Sequence, residues 1–185
     1  MLRDQALKLL RQNVKNDKMV YHCLASEAVL RALATRLGED PDQWGLAGLL
    51  HDIDIERTNA DPATHAVEGA RMLQQLGIDP EVVEAVMLHN EHATHGQIRH
   101  KPLHHALAAG ETITGLITAT ALVYPDKKLK SVKPKSITKR MKEKAFAASV
   151  NRETIMECEK LGMSLQEFVE CSLNAMKEIA DEIGL

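Results

Sequence analysis

Apolar residues recur along most of the chain at three- and four-residue intervals, the period of helices with one buried face. Residues 4–15 show it first, with Ala6, Leu9, Leu10 and Val14 on one side. A second helix is expected over 18–37, stopped by Gly38. Three Asp-Pro pairs follow. Each is a start signal, because Asp accepts from free N–H groups and Pro suits a first helical turn. Asp40-Pro41 opens a helix running to about Asp52, Asp61-Pro62 one to Leu76, and Asp79-Pro80 one to about Asn90. The polar run between Asp54 and Pro62 reads as loop, as does 91–102, which Gly96 and Pro102 interrupt. A long apolar helix is expected over 103–124, loop and then helix in the basic segment 126–144, and two more helices over 151–161 and 164–183. Ser164 and Glu167 form a capping box at the start of the last. No stretch alternates as a strand would. The pattern predicts an all-α bundle of about seven to nine helices in one domain, 1–185.

Composition narrows this picture. Of 185 residues 44% are hydrophobic but only 3% aromatic, so the core must be built from Leu, Ala, Val, Ile and Met. The net charge of −3 gives no bulk reason to expect nucleic acid as a partner. Cys23, Cys158 and Cys171 are odd in number and lack CxxC spacing, which suggests reduced thiols and a cytoplasmic location. The opening MLRDQALKLL carries charges inside its apolar run, unlike a signal peptide. Residues 106–124 are the most membrane-like, yet they are rich in Thr and Gly and contain Glu111, so no membrane association is expected.

The candidate chemistry lies in histidines and acids. His51-Asp52 ends an apolar helix, AGLLHDID, and offers a neutral nitrogen beside an anionic oxygen, a pair suited to Zn, Fe, Mn or Ni. Glu111 is the one charged residue between Ala106 and Tyr124. A carboxylate in so apolar a helix needs a partner, a proton or a metal. His89 shares a helical face with Val82 and Val86, and His22 shares one with Ser26, Val29 and Leu33. His65 is expected in a first helical turn, with open space beside it at Gly69. Each histidine alone reads most simply as a hydrogen-bonded core residue; together with His51-Asp52 and Glu111 they suggest a metal site.

The order His22, LLHDID at 49–54, His65 followed by VEGA, His89 and an acid at 111 resembles the HD-domain superfamily of metal-dependent phosphohydrolases, in its HDIG-like branch. The likeness covers about 18–123, and the stretches TGLITATALVYP at 114–125 and SITKRMKEKAFAASVNRE at 136–153 resemble a small, uncharacterised bacterial subgroup. The resemblance implies that His22, His51, Asp52 and Glu111 hold one metal. Asp52 would bridge to a second, held also by His65 and His89. Glu111 departs from the Asp usual at its position, one methylene longer and still an oxygen ligand.

On this reading the cofactor is one or two divalent ions (Fe, Mn, Zn, Ni or Mg). The activity is hydrolysis of a phosphate ester: a small phosphomonoester, a nucleotide or a related phosphorylated metabolite. The alternatives are a di-iron oxygenase of the same fold and a non-catalytic metal- or nucleotide-binding signalling module. Asp54 and Glu56 are candidates to orient water or move a proton, and His92 to donate a proton or act as a further ligand. His95 continues the spacing of His89 and His92. His100, His104 and His105 read as solvated or packed behind the ligands. The segment 125–144 holds nine Lys or Arg against two acids. Lys133, Lys135, Lys139 and Arg140 in it are candidates to bind the phosphate, the competing reading being a solvated face. The expected partner is a small phosphorylated molecule. Oligomeric state is left open, a dimer being one option.

Overall fold

A computed structural model of the chain describes residues 1–93 and 96–185. Among the described residues there are nine α-helices and no strand. They are α1 (Arg3–Asn13), α2 (Asp17–Leu37), α3 (Pro41–Leu50), α4 (Val67–Gln75), α5 (Pro80–His89), α6 (Pro102–Leu122), α7 (Pro134–Met141), α8 (Arg152–Ile155) and α9 (Leu165–Glu178). Short 3-10 turns occupy Glu91–Ala93, Leu129–Ser131 and Met156–Leu161.

Most starts follow the capping chemistry. The Asp40 carboxylate accepts from Asp42 and Gln43 N–H, Asp79 from Glu81 N–H, and the Ser164/Glu167 box closes as expected. The Asp61-Pro62 start is the exception: residues 61–66 are turns, and α4 begins only at Val67. The cause is remote in sequence. Asp54 accepts from the N–H groups of Ala66 and Gly69 at 2.9 and 2.8 Å and so caps α4 from a loop twelve to fifteen residues upstream of the groups it satisfies. Ala66 sits at φ +74° to present its N–H, a conformation an L residue rarely adopts. His65 therefore lies in the turn before α4 and not within a helix.

Helices α2 and α6 form the centre, α2 packing on α3, α6 and α9, and α6 on α2 and α5. Two glycines permit the tight crossings. A Cβ on Gly48 would lie 2.7 Å from the Ser26 carbonyl oxygen, and one on Gly110 2.7 Å from Leu30 Cδ2. Gly48 is three residues from His51, Gly110 is next to Glu111, and Ser26 and Leu30 lie on the helix that carries His22. Close backbone approach at these points gathers the site. One apolar cluster, largely aliphatic with Trp44 and Phe168, continues from Ala6 to Leu185. Cys23, Cys158 and Cys171 are free thiols. No helix among the described residues is long and apolar enough to cross a membrane.

Of the three histidines expected to be solvated or packed behind the ligands, His100 is exposed and His104 and His105 are buried. His105 Nδ1 pairs with Glu157 at 2.6 Å. The His104 Nε2 is sealed in without a hydrogen-bond partner, and burial lowers its pKa from 6.5 to about 4. A histidine kept neutral by folding takes up its proton more readily when unfolded. Its contribution to stability is thus fully present above pH 6.5 and is lost as pH falls towards 4. Urea midpoints measured from pH 7.5 to 4.5 should show a slope that is reduced in His104→Phe. Parallel curves for the two proteins would remove His104 as the source.

Candidate metal centre

His22 on α2, His51 just past α3, His65 before α4 and His89 at the end of α5 point their Nε2 atoms at one carboxylate, Asp52. The two oxygens of Asp52 divide the set. Oδ2 lies 3.4 Å from His51 Nε2 and 3.7 Å from His22 Nε2. Oδ1 lies 3.2 Å from His65 Nε2 and 3.5 Å from His89 Nε2. Two overlapping triads result, His22–His51–Asp52 and Asp52–His65–His89, each with donor atoms close enough to share an ion.

The Nδ1 side of each ring fixes what the Nε2 side can do. His51 Nδ1 donates to the Gly48 carbonyl at 2.8 Å, and His89 Nδ1 to the Val86 carbonyl at 2.5 Å. His65 Nδ1 donates to Asp54 Oδ1 at 2.8 Å. His22 Nδ1 meets the Thr114 hydroxyl at 2.9 Å, and that hydroxyl gives its own proton to the Glu111 carbonyl, so it accepts from His22. In every neutral ring the lone pair is on Nε2. These lone pairs nevertheless face one another, His22 against His51 at 3.1 Å and His65 against His89 at 3.2 Å. Unshared lone pairs at that distance repel unless a proton or cation lies between them. A metal–nitrogen bond of about 2.1 Å at angles of roughly 90° to 110° separates two ligand nitrogens by about 3.0–3.4 Å, so the spacing fits an ion. Outer hydrogen bonds that orient a ring and fix its tautomer are the usual support of metal-bound histidine.

The electrostatics agree. Burial penalises the Asp52 charge, but the surrounding imidazoles of His51, His65 and His89 outweigh it and hold its carboxyl well below the usual range. Burial also works against a charged His65, yet Asp52 and Asp54 overcome this and raise it to about 10. The field that draws a proton to His65 draws a cation equally, and the two compete. Burial, and after it repulsion from the neighbouring His51 ring, lower His22.

Glu111 stands at the edge of this centre. Its Oε2 is 3.7 Å from His22 Nε2, and its Oε1 accepts from the Thr112 hydroxyl. Its side chain is 20% exposed, so it is a cleft-wall carboxylate and not the deeply buried one that an apolar helix suggests.

The other predicted residues fall elsewhere. Asp54 is fully buried, with both oxygens taken by His65, Ala66 and Gly69, so it stands behind a ligand and does not face the cleft. It also fills the space beside Gly69 that the sequence left open, where a Cβ would meet its carboxylate carbon at 3.2 Å. Glu56 is turned away as well, accepting from the N–H groups of Lys15 and Asn16 at 2.8 and 2.7 Å. His92 is exposed and lines the cleft mouth. His95 lies outside the described residues. Lys133, Lys135, Lys139 and Arg140 do not line the cleft: Lys139 and Arg140 pair with Glu143, and the guanidinium of Arg140 lies 4.2 Å from the centre of the Phe146 ring.

The cleft has a volume of about 370 Å³, and its far wall is a segment the sequence did not mark, Ser149 to Thr154. Arg152 builds that wall by donating to the carbonyls of Ala147 and Val150 at 2.7 and 2.6 Å. Glu91 ties it to the end of α5, accepting from the Thr154 hydroxyl at 2.7 Å. Asn90 anchors the same corner, donating to the carbonyls of Pro62 and His65. The contacts of Asn90 and Glu91 that build this corner span 25 to 63 positions, whereas Arg152 reaches carbonyls only two to nine positions away, and the sequence suggested an orienting role for Asn90 alone.

Residues 19–121 match the HD domain family model, more than half of the chain, and the protein belongs to the HD domain family. It is 26% identical over 165 residues to ribonuclease Y of Sulfurovum sp., an alignment taking in 88% of this chain and 32% of that protein. It is 32% identical over 94 residues to ribonuclease Y of Geobacter metallireducens, covering 49% of this chain and 18% of that one. An uncharacterized protein of Methanocaldococcus jannaschii is 34% identical over 84 residues, 43% of this chain and 48% of its own length. The chain thus spans about a third or less of these ribonuclease Y proteins and about half of the archaeal one. No solved structure matches it.

Proposed function

We propose that this protein is a metal-dependent phosphohydrolase that cleaves a phosphate ester at a centre for two divalent ions. The observation that carries the reading is the facing of four Nε2 lone pairs around a carboxylate whose two oxygens serve two different histidine pairs. His22, His51, Asp52 Oδ2 and Glu111 would hold one ion. Asp52 Oδ1, His65 and His89 would hold the other. So nitrogen-rich a set suits Fe, Mn, Zn or Ni better than Mg, which prefers oxygen. When bound, such ions lower the pKa of water from roughly 16 towards 7 and polarise a phosphoryl oxygen.

The chain's own residues do the rest. Asp52 keeps the two halves of the centre at a fixed separation. Asp54 locks the His65 ring with Nε2 facing inward, a positioning role that replaces the water-orienting one expected from sequence. His92, which lines the cleft, would give a proton to the departing oxygen of a small phosphorylated ligand. Ser149 on the far wall would offer that ligand a hydroxyl, the Asn151 amide being held as the cap of α8.

The reading is tested by stripping the protein with a chelator, reloading it with Mn, Fe or Zn, and following phosphate release from p-nitrophenyl phosphate. Activity should vanish on stripping and return on loading; release by the stripped protein, or none from the loaded one, would contradict it. Within the centre, Glu111→Gln should weaken one ion by about tenfold or more with the helical circular dichroism unchanged. Unaltered affinity for both ions would take Glu111 out of the ligand set.

A further inference from the structure

We infer that the ligand of this cleft carries a single phosphoryl group on an uncharged, hydroxyl-bearing remainder, the chemistry of a sugar monophosphate. The inference rests on the phosphohydrolase reading above and narrows its substrate class. It starts from charge. The described lining of the cleft includes three carboxylates, Asp52, Glu91 and Glu111, and neither Lys nor Arg. Glu91 is already paired with Arg99, so two divalent ions against Asp52 and Glu111 leave two positive charges, which one phosphate dianion balances. A second phosphate would project beside Glu111 and the paired Glu91 with no Lys or Arg among the described lining residues to meet it, and like charges brought together cost affinity.

Nearby arginines do not supply the missing charge. Arg99 is spent on Glu157, Glu91 and the Leu88 carbonyl, and its side chain is only 11% exposed. Arg152 is spent on the backbone of the far wall. The lysines of 127–144 belong to a surface separate from the cleft lining.

Among its described lining residues the cleft offers a base only the imidazole of His92, at its mouth, as an exposed ring to stack on. No Phe, Tyr or Trp is among its described lining residues. Trp44 and Phe168 are core residues, and Phe146 is covered by Arg140. Proteins that hold nucleotides or single-stranded RNA without reading sequence depend on such platforms together with a positive groove. Beyond the metal centre the cleft presents the carboxylates of Glu91 and Glu111, which keep lone pairs to accept with after the bonds from Thr154, Arg99 and Thr112, and the hydroxyls of Thr112 and Ser149; the Asn151 oxygen is spent on capping α8. Those carboxylates and hydroxyls match the donors of a polyol. A volume of about 370 Å³ is near the lower end for a small-molecule site and admits a phosphorylated monosaccharide.

Ribose 5-phosphate, AMP and ADP share one phosphorylated pentose and add first a base and then a second phosphate. Turnover of these three and of a short RNA should be measured on the metal-loaded full-length chain. Binding of their non-hydrolysable phosphonate analogues to the same metal-loaded protein should be measured by calorimetry. Ribose 5-phosphate should exceed AMP in kcat/KM by about tenfold or more, and ADP by about a hundredfold, with the same order in Kd. Ser149 is exposed; Ser149→Lys should raise ADP relative to ribose 5-phosphate by about tenfold. AMP, ADP or RNA used as well as ribose 5-phosphate would overturn the inference and leave the hydrolase reading standing. No turnover of any of them, with both ions verified in place, would overturn the hydrolase reading, and the order of binding would then decide the ligand class alone.

Discussion

Asp52→Ala should leave the protein with almost no bound metal and with phosphate release slowed by about a thousandfold or more. Among the described residues Asp52 is the carboxylate that faces both pairs of Nε2 atoms: its two oxygens serve His22 and His51 on one side and His65 and His89 on the other. Removing it takes away the anionic donor shared by the two triads, so neither keeps its mixed donor set. The loss should be visible without any substrate. A ligand present at a hundred times its dissociation constant stabilises a fold by about 2.7 kcal/mol. The wild type should therefore melt several degrees higher with added Mn or Zn, and Asp52→Ala should not respond. A variant that still binds two ions and still shifts on metal addition would show that the histidines suffice.

Asp54→Asn should have the second-largest effect, and a more selective one. The side chain is buried, and three hydrogen bonds converge on it from His65, Ala66 and Gly69. An amide has one acceptor oxygen for these three donors, and its own N–H₂ would oppose at least one of them. Leaving a buried donor unpaired costs about 1–3 kcal/mol, and loss of a helix cap adds about 1 kcal/mol. The His65 ring would lose its orienting partner, which for metal-bound histidine weakens affinity by roughly 10–100-fold. Calorimetric titration should show one ion bound as in the wild type and the other weakened by that factor. Equal weakening of both ions would mean that Asp54 acts only on folding; no weakening would mean that His65 needs no support.

Much of this was legible in the sequence, for reasons that can be named. The helices opened by Asp40-Pro41, Asp79-Pro80 and Ser164 were legible because their caps lie within three residues of the groups they satisfy. His22, His51, Asp52, His65 and His89 stood out because each is a polar residue beside apolar positions, and their order along the chain resembled one superfamily. Asp61-Pro62 misled because the carboxylate that sets the start of α4 is Asp54, in another loop. The basic run at 125–144 carries the sequence's largest local charge, yet charge alone does not say which surface it covers, and the cleft is lined without it. His104 and His105 sit at the start of α6, where composition suggests solvent, but packing encloses them. Thr114 and Glu91 matter through partners dozens of residues away, a relation no window on the sequence displays.

The central claim is that the convergent histidines and Asp52 are a metal centre, and its most direct test is metal content by plasma mass spectrometry on untagged, chelator-free protein. Close to two equivalents of Fe, Mn, Zn or Ni per chain in the wild type, falling to near zero in a His51→Ala, Asp52→Ala double variant of unchanged helicity, is the predicted result. No bound metal in the wild type, even after anaerobic reconstitution with each ion in turn, would contradict it.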